Sequence, residues 1–490
     1  MLLEAIEHTR IKVSKLTEAK HKSELGQFFT PLTIAKFMAS LFPNKKSDEC
    51  ILLDAGAGIG SLSDAFLERC LTKELEFKKI KIEAYEIDNI LRPFLEDTLN
   101  KYVHKLNFDY QIKSEDFIEA AVNSIQFNSL QAYTHAILNP PYLKINSLSN
   151  YRSLLRYVGI ETVNLYSAFV ALSVLLMRDG GQIVTIIPRS FCNGPYYKTF
   201  RKFILSKCAI RQIHLFESRN SAFKDDQVLQ ENVILYLEVG RIQADVKVSV
   251  STDDNFCDYS SVFYPFEAIV KKEDSESFIH IPSSKNEAND QGIFFAHYKL
   301  SEIGLFISTG PIVDFRLKNH LRANPEKNAS PLIYPAHFTN GQVEWPKNIK
   351  KPNAIMRNSE TEKWFFQNGF YCVVRRFSSK EEKRRIVACL VDPSKFQGEQ
   401  YIGFENHLNV FHIEKHGMPE ELAKGLVLYL NTSIVDKYFR QFSGHTQVNA
   451  ADLKLIKYPS RDALIELGKY YNKVAYDQNM IDEIVRKVCE

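Results

Sequence analysis

The sequence predicts an α/β protein: a parallel sheet with helices on both faces, followed by a separate C-terminal domain of mixed α+β character. Three observations predict it. Between residues 50 and 237, short apolar or alternating runs alternate with longer runs of helical period, the pattern of βαβ units. Asp54, Glu86, Asp116 and Asn139 each fall at or just past the end of a predicted strand, and in such sheets ligands bind beyond the carboxyl ends of the strands. From about residue 295 the alternation stops, and both tryptophans appear among clustered basic and aromatic residues. We assign residues 1–250 to the first domain, 251–294 to its tail and a linker, and 295–490 to the second.

The 490 residues are 45% hydrophobic and 25% charged, enough for two or three domains with cores of their own. With 62 basic and 59 acidic residues the net charge is +3, so bulk charge neither requires nor excludes a nucleic-acid partner. Eight scattered cysteines, without a Cys-x-x-Cys pair or zinc spacing, predict reduced thiols, a cytoplasmic setting and no metal. Residues 1–20 are charged throughout, unlike a signal peptide, and the longest apolar stretch, residues 165–177, is too short to span a bilayer. No membrane association is expected.

In chain order, residues 1–25 read as charged helix. Thr30 is placed to cap a helix that Pro31 opens, with Ile34, Phe37 and Met38 on its buried face. A strand then runs into Asp54 and the glycines Gly56, Gly58 and Gly60. This spacing differs from the dinucleotide fingerprint, and suits a ligand whose amino-acid part lies on the turn rather than a pyrophosphate. The second strand, residues 80–85, ends at Glu86, where a carboxylate either accepts ribose hydroxyls or is a solvated strand end. A third strand near 110–112 precedes Asp116 and Phe117, an acceptor for an adenine amino group and a ring to pack on it.

The central strand ends in Asn139-Pro140-Pro141-Tyr142. Two prolines hold the backbone after Asn139 stiff and extended. That presents two acceptors, the Asn139 amide oxygen and the Pro140 carbonyl, beside the face of Tyr142. Such a site suits a planar group that carries an NH2. Asn164 opens an apolar helix, residues 178–181 turn the chain, and residues 182–188 form a strand. Residues 196–208 read as an amphipathic helix whose Lys198, Arg201, Lys202 and Lys207 are solvated or touch phosphate. Strands at 211–217 and 232–237 complete the sheet. In the second domain, Arg375-Arg376 and Lys383-Arg384-Arg385 are interleaved with aromatics, which fits a nucleic-acid surface or a solvated charged face. Residues 444–449 include His445, Gln447 and Asn449, which read base edges or form an ordinary polar loop. Residues 461–490 read as a closing helix.

Taken together, Gly-Gln-Phe-Phe-Thr-Pro (26–31), Asp-Ala-Gly-Ala-Gly-Ile-Gly (54–60), Glu86, Asp116-Phe117, Asn-Pro-Pro-Tyr (139–142) and Asn-Leu-Tyr (164–166) resemble the N6-adenine DNA methyltransferases. Within that family they resemble the gamma-order class of type II restriction–modification systems, and residues 444–449 resemble a segment of the BsuBI/PstI-type enzymes. The resemblance implies a Rossmann-like catalytic domain that takes S-adenosylmethionine, a C-terminal target-recognition domain, and double-stranded DNA with a short palindromic target. A cognate restriction endonuclease, acting separately in a bacterial cytoplasm, is the implied partner. By the same resemblance Thr30, Pro31, Asp54, Gly56 and Gly58 lie by the methionine end of the cofactor. Glu86 holds its ribose, and Asp116 and Phe117 hold its adenine. Asn139 and Pro140 accept the two N–H bonds of a flipped adenine's amine, Tyr142 stacks on the base, and Phe223 supplies a second aromatic.

Glutamine-N5 and ribosomal RNA guanine-N2 methyltransferases also carry Asn-Pro-Pro-Tyr and also hold a planar NH2. A DNA-binding specificity module with an inactive methyltransferase half is the non-enzyme alternative. The large basic C-terminal domain and the Phe-Thr-Pro segment favour DNA. The intact cofactor and catalytic motifs favour an active enzyme, and a cofactor titration discriminates the two.

Overall fold

Period-two alternation places each strand's apolar residues on two faces, and both faces are covered. A computed structural model describes residues 2–16, 26–44, 46–127, 132–217, 231–282, 295–444, 446–474 and 477–489. By contacts the chain divides into Met1–Ala288 and Asn289–Glu490.

The first unit contains α1 (Leu2–Leu16), α2 (Leu32–Ser40), β1 (Ser47–Ala55), α3 (Ser61–Leu71), β2 (Phe77–Tyr85), α4 (Arg92–Asn100), β3 (Phe108–Lys113), α5 (Phe117–Gln126) and β4 (Tyr133–Leu138). It continues through α6 (Asn150–Tyr157), α7 (Leu165–Leu176), β5 (Met177–Pro188), α8 (Lys198–Lys207), β6 (Cys208–Phe216), β7 (Asn232–Val239), β8 (Val246–Ser251) and β9 (Ser260–Tyr264). The sheet order is β3-β2-β1-β4-β5-β7-β6-β8-β9. Leu52 and Ile137 face α2, α3 and α4 through Met38, Phe66 and Leu95. Their neighbours Leu53, Ala136 and Leu138 face α5 and α7 through Phe117, Phe169 and Leu172. Strand β4 is therefore buried at every position. The chain leaves β1 toward β2 on one side and reaches β4 on the other, so a crevice opens at the β1 and β4 ends.

Three sequence expectations change. The sheet is not parallel throughout: β7 inserts between β5 and β6 and runs antiparallel to both. No helix-length pattern separates β6 from β7 in the sequence, and a parallel return needs such a crossover. Within the tail, β9 pairs with β8, which pairs with β6, and so closes the sheet edge. Thr30 does not cap α2. The carboxylate of Glu7 accepts the Leu32 N–H at 3.1 Å, a favourable place for negative charge. Arg201 is not available to phosphate. It is fully buried, donates to the carbonyls of Phe191 and Gly194 at 2.8 Å each and to that of Glu276, and lies over the Phe278 ring.

Among its described residues the second unit holds two sheets, in the order β10 (Phe306–Thr309), β20 (Leu408–His412), β17 (Tyr371–Arg375), β18 (Ala388–Val391), β14 (Gln342–Val343), β13 (Phe338–Thr339), and β11 (Leu321–Arg322), β15 (Ala354–Met356), β12 (Ala329–Ile333), β19 (Tyr401–Phe404), β16 (Phe366–Gln367). The strands that matter below are β17 (Tyr371–Arg375) and β20 (Leu408–His412). The expected closing helix is three, Arg461–Gly468, Tyr471–Val474 and Gln478–Cys489. The first of these packs on Glu420–Leu430 by direct backbone approach. A Cβ at Gly425 would lie 1.8 Å from the Leu464 carbonyl oxygen, and one at Gly468 1.9 Å from that of Glu421. Gly425→Ala is expected to force the helices apart and destabilise this unit by on the order of 2 kcal/mol. A thermal melt at or above the wild-type midpoint would refute this.

Candidate active site

The glycine turn after β1 is tied to the tip of β2. Gly56 N–H and Ala57 N–H both donate to the Tyr85 carbonyl at 2.9 Å, and Gly58 N–H donates to Glu86 Oε2 at 2.7 Å. Gly58 has φ +59°, a backbone conformation that favours glycine, and this aims its N–H at Glu86. The other Glu86 oxygen accepts the Asp88 N–H at 2.7 Å. Burial pushes the Glu86 carboxyl up to about 7, against the two backbone donors, which pull it down.

Beside this turn is a crevice with about 680 Å³ of empty space, open solvent included. Gly56, Gly58, Glu86, Asp116, Phe117 and Asn139 all line it. Residues from every predicted strand end except Asp54 therefore meet at one cavity. Asp54 sits behind the turn, 1% exposed, where Oδ2 accepts the Ser63 hydroxyl at 2.6 Å and Oδ1 has no partner. Burial, with the nearby Glu86 adding to it, pushes its carboxyl up to about 7.

Asp116 is more committed than its sequence reading implies. It caps α5 by accepting the Ile118 and Glu119 N–H groups on Oδ1, at 2.8 and 3.1 Å. Its Oδ2 accepts the Tyr151 hydroxyl at 2.7 Å. Phe117 is 3% exposed and packs between Tyr85 and Phe169, with centroids at 5.1 and 4.9 Å.

Asn139 follows β4. Its amide nitrogen donates to the Phe28 carbonyl at 2.8 Å and to the Thr30 hydroxyl at 3.0 Å, while Oδ1 is buried without a partner. Pro140 is buried and Pro141 lines the cavity. Tyr142 donates its N–H to the Gly26 carbonyl at 3.2 Å and its hydroxyl to the Ile186 carbonyl at 3.2 Å. Its ring lies 5.2 Å from that of Phe28 and 6.2 Å from that of Tyr166. Burial raises the Tyr142 phenol well above its usual range, so it stays protonated. Thr30, Pro31, Pro140 and Tyr142 do not line the cavity. Phe223 and His445 lie outside the described residues.

Tyr85, Phe169 and Gln27 also line the cavity and were not singled out in the sequence. Gln27 donates to Asp88 at 3.3 Å and leaves its own buried Oε1 unpartnered. It stands inside the Gly-Gln-Phe-Phe-Thr-Pro motif quoted above, which gave it no role of its own.

In the second unit the basic clusters are largely used internally. Arg375 pairs with Glu382, and Arg385 is 1% exposed and bonds Ser378. Asn449 precedes helix Ala450–Leu455 and donates its N–H to Asp452 at 2.9 Å, a helix-start arrangement rather than a free reader. Arg376, at the end of β17, donates to Gln447 Oε1 at 3.4 Å and to the Asn406 carbonyl at 3.3 Å, beside the exposed ring of Phe377.

Among the described residues no helix is long and apolar enough to cross a membrane. Residues 13–223 match the family model of the Eco57I restriction-modification methylases. The type II methyltransferase M.BsuBI of Bacillus subtilis is 53% identical over 96% of this chain and 94% of its own length. The type II methyltransferase M.PstI of Providencia stuartii is 41% identical over 95% and 93%. The DNA complex of the type IIL restriction-modification enzyme MmeI superposes with a TM-score of 0.50 over 99% of this chain and 75% of that one, and at 12% identity this speaks for the fold alone. With Asn139 and Pro141 of the Asn-Pro-Pro-Tyr stretch at its glycine-turn crevice and two near full-length relatives above 40% identity, the chain belongs to the type II DNA methyltransferases of restriction–modification systems.

Proposed function

We propose that this protein methylates the N6 amine of adenine at a specific sequence in double-stranded DNA. The observation that carries the reading is the unpartnered Asn139 Oδ1 at the wall of the glycine-turn crevice. An amide oxygen only accepts, so it calls for an N–H. The Pro140 carbonyl supplies the second acceptor. With both N–H bonds accepted, the amine nitrogen pyramidalises and its lone pair leaves conjugation with the ring. The target base leaves the duplex to reach this depth, and Tyr142 offers it a ring to stack on.

The crevice fits S-adenosylmethionine in the chemistry of its walls. Glu86 offers carboxylate oxygens to ribose hydroxyls. The Gly56–Gly58 turn admits the methionine end, and Phe117, with Tyr85 and Phe169 around it, faces the adenine. Asp116 keeps a lone pair for the adenine amine while it holds Tyr151. The cofactor would supply a sulfonium methyl, an electrophile that needs alignment rather than activation. In the second unit we place Arg376 and Gln447 toward the bases. A separate endonuclease that cuts the same sequence would make the modification protective.

The test is to incubate purified protein with S-adenosylmethionine and unmodified genomic DNA and to map modified positions by sequencing. N6-methyladenine at one short palindrome is the expected result. Methylated cytosine, or transfer to protein or RNA but not DNA, would overturn the reading.

A further inference from the structure

We propose that residues 26–30 are a template that sets the geometry of the transfer site, and that Thr30 is a positioning residue for Asn139 rather than a cofactor ligand. The inference rests on the adenine-methyltransferase reading above. Residues 26–30 and 139–142 are held together at both ends. Tyr142 N–H donates to the Gly26 carbonyl, and the Asn139 amide nitrogen donates to the Phe28 carbonyl and the Thr30 hydroxyl. Gly26 has φ +63°, and a Cβ there would lie 2.7 Å from Leu143 Cγ and 3.1 Å from Tyr142 N, so the two segments meet at a backbone-only approach.

The consequence falls on the amide of Asn139. Its two ends are alike in shape, and a flip would exchange donor for acceptor. The Phe28 carbonyl can only accept, so the atom facing it is the nitrogen. Thr30 Oγ1, on a residue 5% exposed, takes the second N–H. With both N–H bonds satisfied on one side, Oδ1 is left as the atom available to an incoming amine. A flipped amide would set oxygen against the Phe28 carbonyl and present NH2 to the substrate's NH2, which is repulsive at both ends. Thr30 contributes by narrowing the amide to one orientation. Its place outside the crevice lining agrees with this role.

The experiment compares Thr30→Val, which keeps the shape and removes the acceptor, with Thr30→Ser, which keeps the acceptor. Single-turnover transfer to DNA is measured beside the S-adenosylmethionine dissociation constant from calorimetry. Thr30→Val is expected to slow transfer roughly tenfold, the scale of one lost hydrogen bond to a reacting group. Its cofactor affinity should stay within about twofold of wild type, and Thr30→Ser should recover most of the rate. If Thr30→Val does not fold, Thr30→Ala gives the same readout. A loss of cofactor affinity that matches the loss of rate would make Thr30 a ligand and overturn the inference. An unchanged rate, or a serine variant as slow as valine, would also overturn it. Failure of the adenine reading is separate, because wild-type protein would then yield no N6-methyladenine at all.

Discussion

Asn139→Ala is expected to lower methyl transfer by roughly three orders of magnitude, the scale of losing an oriented partner for charge that develops in a transition state. The substitution removes a buried acceptor at the crevice wall that has no partner of its own. The Pro140 carbonyl would still hold one N–H, but the amine could then remain planar and conjugated. The variant also strips partners from the Phe28 carbonyl and Thr30, at a stability cost of about 1–2 kcal/mol. The Glu86 end of the crevice is untouched, so cofactor affinity should change only a few-fold. Three measurements on one preparation decide the matter: single-turnover rate, cofactor dissociation constant and melting midpoint. Residual transfer within about tenfold of wild type would remove Asn139 from the chemistry, and lost cofactor affinity would place it at the wrong ligand.

The strand ends were legible because each apolar run stops at a polar side chain, and in an α/β sheet ligands bind beyond the carboxyl ends of the strands. Glu86, Asp116 and Asn139 could therefore be brought to one cavity without coordinates. Their immediate partners were not legible. The bond from Asn139 to Phe28 spans 111 residues, and nothing in either local pattern encodes it. Thr30 looked like a helix cap because Thr-Pro before an apolar helix usually is one. Glu7, 25 residues before Leu32, took that place and left the hydroxyl for Asn139. The antiparallel β7 was missed because a buried strand reads the same in either direction. In the second unit, charge runs were visible but their pairing was not. Arg375 with Glu382 and the buried Arg385 use bases that a sequence reading leaves for DNA.

The carboxylates of the crevice set the second large effect, a pH dependence with opposite signs in the free and loaded protein. Burial raises Asp54 and Glu86 to about 7, well above the ordinary carboxylate range. A raised folded value means the folded state binds more protons between about 4 and 7. The stabilisation is then full below the unfolded values and is lost as pH rises through 7. For Glu86 alone the difference corresponds to roughly 3 kcal/mol. The free protein should therefore melt higher at pH 6 than at pH 8. A ligand that brings hydroxyl donors and positive charge favours the ionised carboxylates, so loading returns the protons to solvent. Cofactor affinity should rise between pH 6 and pH 7.5, by up to about tenfold per unit for one group. Binding heats should also differ between buffers of different ionisation enthalpy, which reports the released proton directly. Glu86→Gln should flatten the pH dependence of binding and weaken affinity at pH 8. A wild-type affinity that is flat from pH 6 to 8, with buffer-independent heats, would mean that these carboxylates stay ionised in the free protein and that burial does not govern the crevice.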